Sequence, residues 1–224
     1  MEDLFSEKKL LGFFLSGHPL DFYKVDVQAF GGSVKSLREK AGPPPAEKSF
    51  SRGGGPKVGI VALLTGVSFR RTKKGTLMAY VRLEENGQAI EAIMFEKQLE
   101  GIHFPETDTP VAVWGHAEMS ENGQVRFTLE SVRSLDELRQ DRVRAMGLEF
   151  HGQKQDLSAE ELSSRFAEIV KKYPGPCPVR LSVGFDDCLS TLRGTNCQVE
   201  LSSELFRDVD ELTNGEHTIK YALH

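Results

Sequence analysis

Two Asn-Gly dipeptides, Asn86-Gly87 and Asn122-Gly123, each lie between runs in which apolar and polar residues alternate. Asn-Gly readily takes the positive backbone angles of a tight hairpin turn, and alternation puts one face of each flanking strand into a core. Thr76 to Glu84 shows the pattern, with Leu77, Ala79, Val81 and Leu83 on one face and Met78, Tyr80 and Arg82 on the other. Ala89 to Phe95 pairs back across the first turn. Val111 to Met119 and Val125 to Ser131 flank the second, and Lys57 to Phe69, rich in Val, Ile, Leu and Ala, supplies a further strand.

Glu96 to Ile102 reads as a short helix, so the order is three strands, a helix and two strands. That is the order of an OB-fold, a five-stranded Greek-key barrel whose second and third strands and first and fourth loops bind oligonucleotides. The fold class expected is mixed: an N-terminal helical segment, the all-β OB barrel, and a small α+β C-terminal domain. Its divisions are 1–40 (helical segment), 41–56 (Pro/Gly-rich linker), 57–134 (barrel), 135–147 (connecting helix) and 148–224 (terminal domain).

Charge is distributed unevenly. The net charge of −5 in 224 residues argues against a polyanion ligand for the chain as a whole, yet residues up to Ser134 hold as many acidic as basic side chains. Between Lys48 and Leu83 there is no carboxylate, while Arg52, Lys57, Arg70, Arg71, Lys73, Lys74 and Arg82 fall there. The candidate nucleic-acid contacts are Phe69, Arg70, Arg71, Lys73, Lys74, Tyr80 and Arg82: cations release counterions from phosphates, and rings stack on bases of any identity. The plainer readings are a solvated turn for the cations and core packing for Phe69. Trp114, between Val113 and Gly115, is expected in the core rather than stacked on a ligand.

Ahead of the barrel, Asp3 to Leu15 reads as a helix, with Leu4, Leu10, Leu11, Phe13, Phe14 and Leu15 apolar and Glu7, Lys8 and Lys9 on the opposite side, ending near Ser16-Gly17 before Pro19. Asp21 to Phe30 is mixed and Gly31-Gly32 breaks it. Ala41 to Pro56, with Pro43-Pro44-Pro45 and Gly53-Gly54-Gly55, reads as a spacer between helical segment and barrel. His18 beside Pro19 reads as a turn residue, since no second His or Cys is near enough to share a metal. The remaining histidines make no cluster, and Cys177, Cys188 and Cys197 lack zinc spacing and read as ordinary buried thiols. No cofactor, metal or catalytic constellation is expected. With no apolar run of about 20 residues and no leader pattern, a cytoplasmic location is expected.

Beyond the barrel, Leu135 to Met146 has helical spacing. Ser158 and Glu161 form a capping-box pattern for a helix to Lys172, stopped by Tyr173-Pro174-Gly175. Strands are expected at Pro178 to Phe185, Cys197 to Leu201 and Thr218 to Leu223, and an acidic helix at Ser203 to Leu212.

The stretch Leu10-Leu11-Gly12-Phe13-Phe14-Leu15-Ser16-Gly17-His18-Pro19-Leu20-Asp21, with the elements after it, resembles the alpha subunit of bacterial DNA polymerase III just ahead of and through its OB domain. The resemblance implies a C-terminal portion of that subunit, binding single-stranded DNA through the barrel and the clamp-loader tau subunit through the terminal domain. The acidic residues for two-metal polymerase chemistry lie, in that family, in a palm domain upstream, so the chain is expected to bind without polymerising. On the last helix Leu205 and Phe206 are the candidate partner-binding anchors, with a place in the core as the other reading of Phe206. Leu4-Phe5 ends like the family's sliding-clamp motif but lacks the Gln, so clamp contact is expected through a neighbouring region. Two other readings stand beside this one: a stand-alone OB protein-interaction module, and the tRNA-binding module of an aminoacyl-tRNA synthetase.

Overall fold

The computed structural model describes residues 7, 10, 11, 14, 17–43, 55–151, 158–185, 188–192 and 197–224. The helix expected over Asp3 to Leu15 is represented there by Glu7, Leu10 and Leu11, which are helical; Leu4, Phe5 and Ser16 lie outside the described residues, as do residues 44–54 of the spacer. The chain forms two compact units, 1–135 and 136–224.

In the first unit a 3-10 turn at Pro19–Tyr23 leads into α1 (Lys24–Phe30) and α2 (Val34–Lys40). His18 caps the 3-10 turn. Its Nδ1 accepts from the Leu20 N–H at 3.2 Å, which leaves the proton on Nε2 to donate to Glu84 at 3.0 Å. The turn reading of His18 is thus the observed one. Ser33 caps α2, and Glu85 accepts from the Val34 N–H.

The barrel follows: β1 (Lys57–Arg71), β2 (Leu77–Glu85), β3 (Gln88–Phe95), the one-turn α3 (Glu96–Leu99), β4 (Thr109–Met119) and β5 (Val125–Ser134). The strands close in the order β1-β2-β3-β5-β4, antiparallel except for a short parallel contact of Ala92-Ile93 with Phe127-Thr128. This is the expected OB-fold. Its core contains Ile60, Ala62, Leu64, Ala79, Val81, Leu83, Ala92, Met94, Phe127 and Leu129.

The helical segment is part of this unit rather than held away from it. Val34 and Leu37 of α2 are fully buried in the barrel core. Gly32 bridges to the edge of β1 that β2 does not reach, donating to the Gly59 carbonyl and accepting from the Val61 N–H. Both ends of the spacer are tied to β4: Gly42 exchanges backbone bonds with Ala117 and Met119, and Pro56 O accepts from Ala117 N–H. Buried apolar area on α2 outweighs whatever separation the Pro and Gly runs allow.

Trp114 also departs from expectation. It is half-buried and lies across Gly59, where an added Cβ would fall 2.6 Å from its indole nitrogen. Val113 takes the core position beside it, so Trp114 covers the outside of the barrel.

The second unit opens with α4 (Leu135–Arg142, of which Asp136 onward belongs to it), then β6 (Val143–His151), α5 (Ala159–Lys172), β7 (Pro174–Phe185), β8 (Cys188–Leu192), β9 (Gln198–Val199), α6 (Ser203–Thr213) and β10 (His217–Leu223). Its sheet runs β10-β6-β7-β8, with β9 on β7. The capping box of Ser158 and Glu161 starts α5 as expected. The helix expected to reach Met146 ends at Arg142, because β6 is paired on both edges, with β10 and with β7, and its buried Met146, Leu148 and Phe150 follow period two. Two saturated backbone ladders outweigh the weak helical preference of those residues. The strand β8 had no counterpart in the sequence reading.

On α6, Leu205 is fully buried and Phe206 is 8% exposed, with Phe206 edge-on to Tyr221 and beneath the buried Arg139 guanidinium at 4.3 Å. Both are core residues of the second unit, which corrects their reading as partner anchors: an amphipathic helix spends its apolar stripe first on its own domain. The helix pair is tied by Asp208, which accepts from Lys172 at 2.7 Å and Tyr173 at 2.9 Å. Partial burial alone would push the Asp208 carboxyl up; the hydrogen bonds and charges of Lys172 and its neighbours outweigh it and hold the group below its ordinary range. Cys177 is buried, which pushes its thiol up, and Cys197 is partly exposed; both are free.

Leu205→Ala should destabilise the second unit by about 2–5 kcal/mol, the range for emptying a buried leucine site. Urea denaturation measures this, and a surface anchor would show almost no change. Asp208 yields a pH dependence. Its depressed pKa means that its contribution is present above the ordinary carboxylate range and is lost as pH falls through it, so Asp208→Asn should flatten the fall in melting temperature between about pH 5 and about pH 3.

Candidate nucleic-acid interface

A bulge decides which residues share a face. On β1, Leu64 faces Leu83 but Gly66 faces Arg82, so Thr65 is an extra residue whose hydroxyl donates to the Arg82 carbonyl. Before it Ile60, Ala62 and Leu64 point inward; after it the inward parity passes to Val67 and Phe69, opposite Val81 and Ala79. Without that extra residue Arg70 would take the core parity. With it, Gly66, Ser68 and Arg70 stand outside, opposite Arg82, Tyr80 and Met78.

The seven candidate residues therefore divide. Arg70, Tyr80 and Arg82 occupy the outer face, with the Arg70 guanidinium over the Tyr80 ring at 5.2 Å. Phe69 has core parity but emerges at the barrel's rim, 57% exposed and edge-on to Phe104. Arg71 donates to the Gly75 carbonyl at 3.0 Å and is partly spent in holding its own turn. Lys73 and Lys74 are exposed at the tip of a three-residue loop closed by Gly75 in the left-handed region.

The other turns differ from one another. Asn86 and Gly87 both have positive φ, as a two-residue type I′ turn requires. In the second hairpin only Gly123 does, with Ser120 accepting from the Gly123 N–H and donating to the Gln124 carbonyl, so that turn is a longer loop of the kind at the basic tip.

This longer β4–β5 loop and the outer faces of β2 and β3 enclose a groove of about 710 Å³. Tyr80, Ile93 and Glu91 line it from the sheet, Asn122 and Arg126 from the hairpin, and Arg38 from α2. Arg126 pairs with Glu118 at 3.3 Å. Ile93, Asn122, Arg126 and Arg38 were not singled out in the sequence, although the OB rule that the fourth loop contributes to binding was signal enough for the hairpin residues. Arg38 carried no such signal, because α2 was unrecognised as part of the barrel. An open groove with an aromatic ring, a β-branched side chain and guanidinium groups offers a stacking surface beside phosphate contacts. Among the described residues no three His, Cys, Asp or Glu side chains stand where they could share a metal ion, and no helix is long and apolar enough to cross a membrane.

Similarity to known proteins covers almost the whole chain. It is 26% identical to the DNA polymerase III subunit alpha of Pseudomonas aeruginosa over 210 residues, 92% of this chain and 16% of that protein. The chain is homologous to part of the DNA polymerase III alpha subunit. The subunit of Escherichia coli K12 is 24% identical over 94% of the chain and 17% of its own length, and that of Thermus aquaticus 26% over 84% and 14%. The chain thus spans about a sixth of these alpha subunits. No family model matches it. Among solved structures, the second OB-fold domain of replication protein A from Methanococcus maripaludis is 10% identical and covers 36% of this chain and 84% of its own, with a TM-score of 0.29. The mitochondrial single-stranded DNA binding protein Rim1 of S. cerevisiae is 13% identical over 36% and 94%, with a TM-score of 0.31. Those scores are too low to bear on function.

Proposed function

We propose that the first unit binds single-stranded DNA without base preference, as a nucleic-acid-holding region of an alpha-type replicative polymerase, with nucleotide addition belonging to other regions of such a subunit. The observation that carries this reading is the continuity of Arg70, Tyr80 and the groove: a guanidinium stacked on a ring that itself lines an open channel, with Lys73 and Lys74 exposed at the neighbouring tip. Cations there attract phosphates by releasing counterions, and the ring accepts any base. Homology to alpha subunits supports the replicative setting. A protein ligand for the same face would have little use for Lys73 and Lys74 exposed side by side at the hairpin tip.

We further infer that the second unit docks a protein partner, the clamp-loader tau subunit being the one its family resemblance implies. Its support is a core of its own and the location of the whole net negative charge beyond Ser134, which disfavours nucleic acid. Its docking side chains are exposed ones, since Leu205 and Phe206 are spent in the core.

Replacing Arg70, Arg71, Lys73 and Lys74 together with Ala should reduce the salt slope of oligodeoxythymidylate binding by up to about 3, at roughly 0.7 per phosphate contact on a single strand. Tyr80→Ala should cost about 1–3 kcal/mol of affinity, with a smaller loss of melting temperature than Val81→Ala causes. Fluorescence anisotropy across a salt series checks both, and a quadruple variant with the parent's affinity and slope would refute the DNA reading. For the partner, the cut belongs between Leu135 and Asp136 rather than inside β6. The fragment from Asp136 onward should capture purified tau and the fragment ending at Leu135 should not; a folded terminal fragment that ignores tau would refute the assignment.

A further inference from the structure

We propose that Arg38, on the helix ahead of the barrel, is a phosphate contact of the single-strand site, so that the site is assembled from the pre-barrel segment as well as from the barrel. This rests on the reading of the groove as a DNA site. The helix carrying Arg38 is short, and what fixes it is its surroundings. Val34 and Leu37 are fully buried in the barrel core, Glu85 of the β2–β3 hairpin holds the Val34 N–H, and just past its end Gly42 donates to the Ala117 carbonyl at 3.0 Å and accepts from the Met119 N–H at 2.8 Å. The last turn of α2 is therefore anchored beside the start of the β4–β5 loop. Arg38 follows Leu37 directly, is exposed, and lines the groove.

Electrostatics singles it out within that lining. The groove's charged side chains are Arg38, Arg126 and Glu91. Arg126 is already paired with Glu118, and Glu91 repels phosphate, whereas Arg38 makes no ion pair among the described residues. Its planar fork can grip a phosphate with two parallel N–H groups. Tyr80 joins the two cationic regions, since it lies under Arg70 and also lines the groove with Arg38. A strand that stacks a base on Tyr80 would then have cations on both flanking sides. The competing role is a helical one: Arg38 is in the last turn of α2, where a cation favours the carbonyl end of the helix.

The test uses the whole chain and a fluorescein-labelled oligodeoxythymidylate, with affinity measured across a sodium chloride series. Arg38→Ala should lower the salt slope by about 0.7, one phosphate contact on a single strand, and weaken binding several-fold at low salt. Arg38→Lys should recover the slope but not the full affinity. Lys35→Ala, on the same helix but outside the groove lining, should leave the slope unchanged. Melting temperature is followed throughout; a shift in it for Arg38→Ala with unaltered affinity and slope would assign Arg38 to the helix alone and overturn the inference. Equal slope losses for Lys35→Ala and Arg38→Ala would also overturn it, since net charge rather than contact would be responsible. If the parent chain binds no oligonucleotide, the DNA reading of the groove fails, and this inference with it.

Discussion

The structure of the first unit depends on one strand being paired along both edges. Lys57 to Leu64 of β1 pairs with β4, Leu63 to Arg71 with β2, and the edge left open in the first half is met by Gly32. Gly32 takes up the Gly59 carbonyl and the Val61 N–H there, shortening the row of open N–H and C=O groups that could serve as a template for another chain. Leu63 and Leu64 belong to both ladders, so the strand must change partners there, and the bulge at Thr65 lies immediately after them. A bulge bends the strand and increases its twist, which a small barrel needs in order to close.

That bend also sorts the chemistry. By shifting the side-chain parity by one, it sends Val67 inward and Arg70 outward, and thereby stacks a guanidinium on Tyr80 rather than burying it beneath the sheet. A charge forced into the core would carry a desolvation cost of several kcal/mol, so barrel closure and the exposed basic face are two results of the same extra residue. A second bulge acts similarly on β5, where Trp114 faces Ser131 but Gly115 faces Leu129. The extra residue there is Glu130, whose carboxylate accepts from Lys57 and meets His116, the Lys57 hydrogen bond chiefly holding it below its usual range. One carboxylate thus clamps the start of β1 to β4.

What the sequence revealed and what it concealed divide along the distance over which the controlling interaction acts. Alternation in β2, the Asn-Gly turn at Asn86 and the capping box at Ser158 are set by neighbours a few residues away, and each is present as read. The parity flip at Thr65 is set by the register of a partner strand. Its one local cue in Leu64-Thr65-Gly66-Val67 is Gly66, since a glycine inside a strand often marks a bulge without fixing which residue is the extra one. Val143 to Met146 looked helical because Leu135, Leu138, Val143 and Met146 happen to match that spacing, while the deciding ladders come from β7 and β10. The groove was half legible: Tyr80 and the hairpin cations could be named, but Arg38 depends on α2 docking into the core from beyond the spacer.

That docking changes what the stretch from Gly31 to Gly42 is. A Pro/Gly-rich segment after a helix ordinarily permits independent motion. Here α2 contributes Val34 and Leu37 to the barrel's own hydrophobic cluster, and burying two such aliphatic side chains is worth roughly 3–6 kcal/mol before ordering costs. Backbone bonds from Gly32 to β1 and from Gly42 to β4 hold the helix at both ends. The structural boundary of the first unit therefore lies ahead of α2, not at Lys57, and a barrel trimmed to its five strands would lose Val34 and Leu37 from its hydrophobic cluster. The same trimming would remove Arg38 from the lining of the groove, so the stability of the barrel and the shape of the groove are coupled through the two turns of that helix.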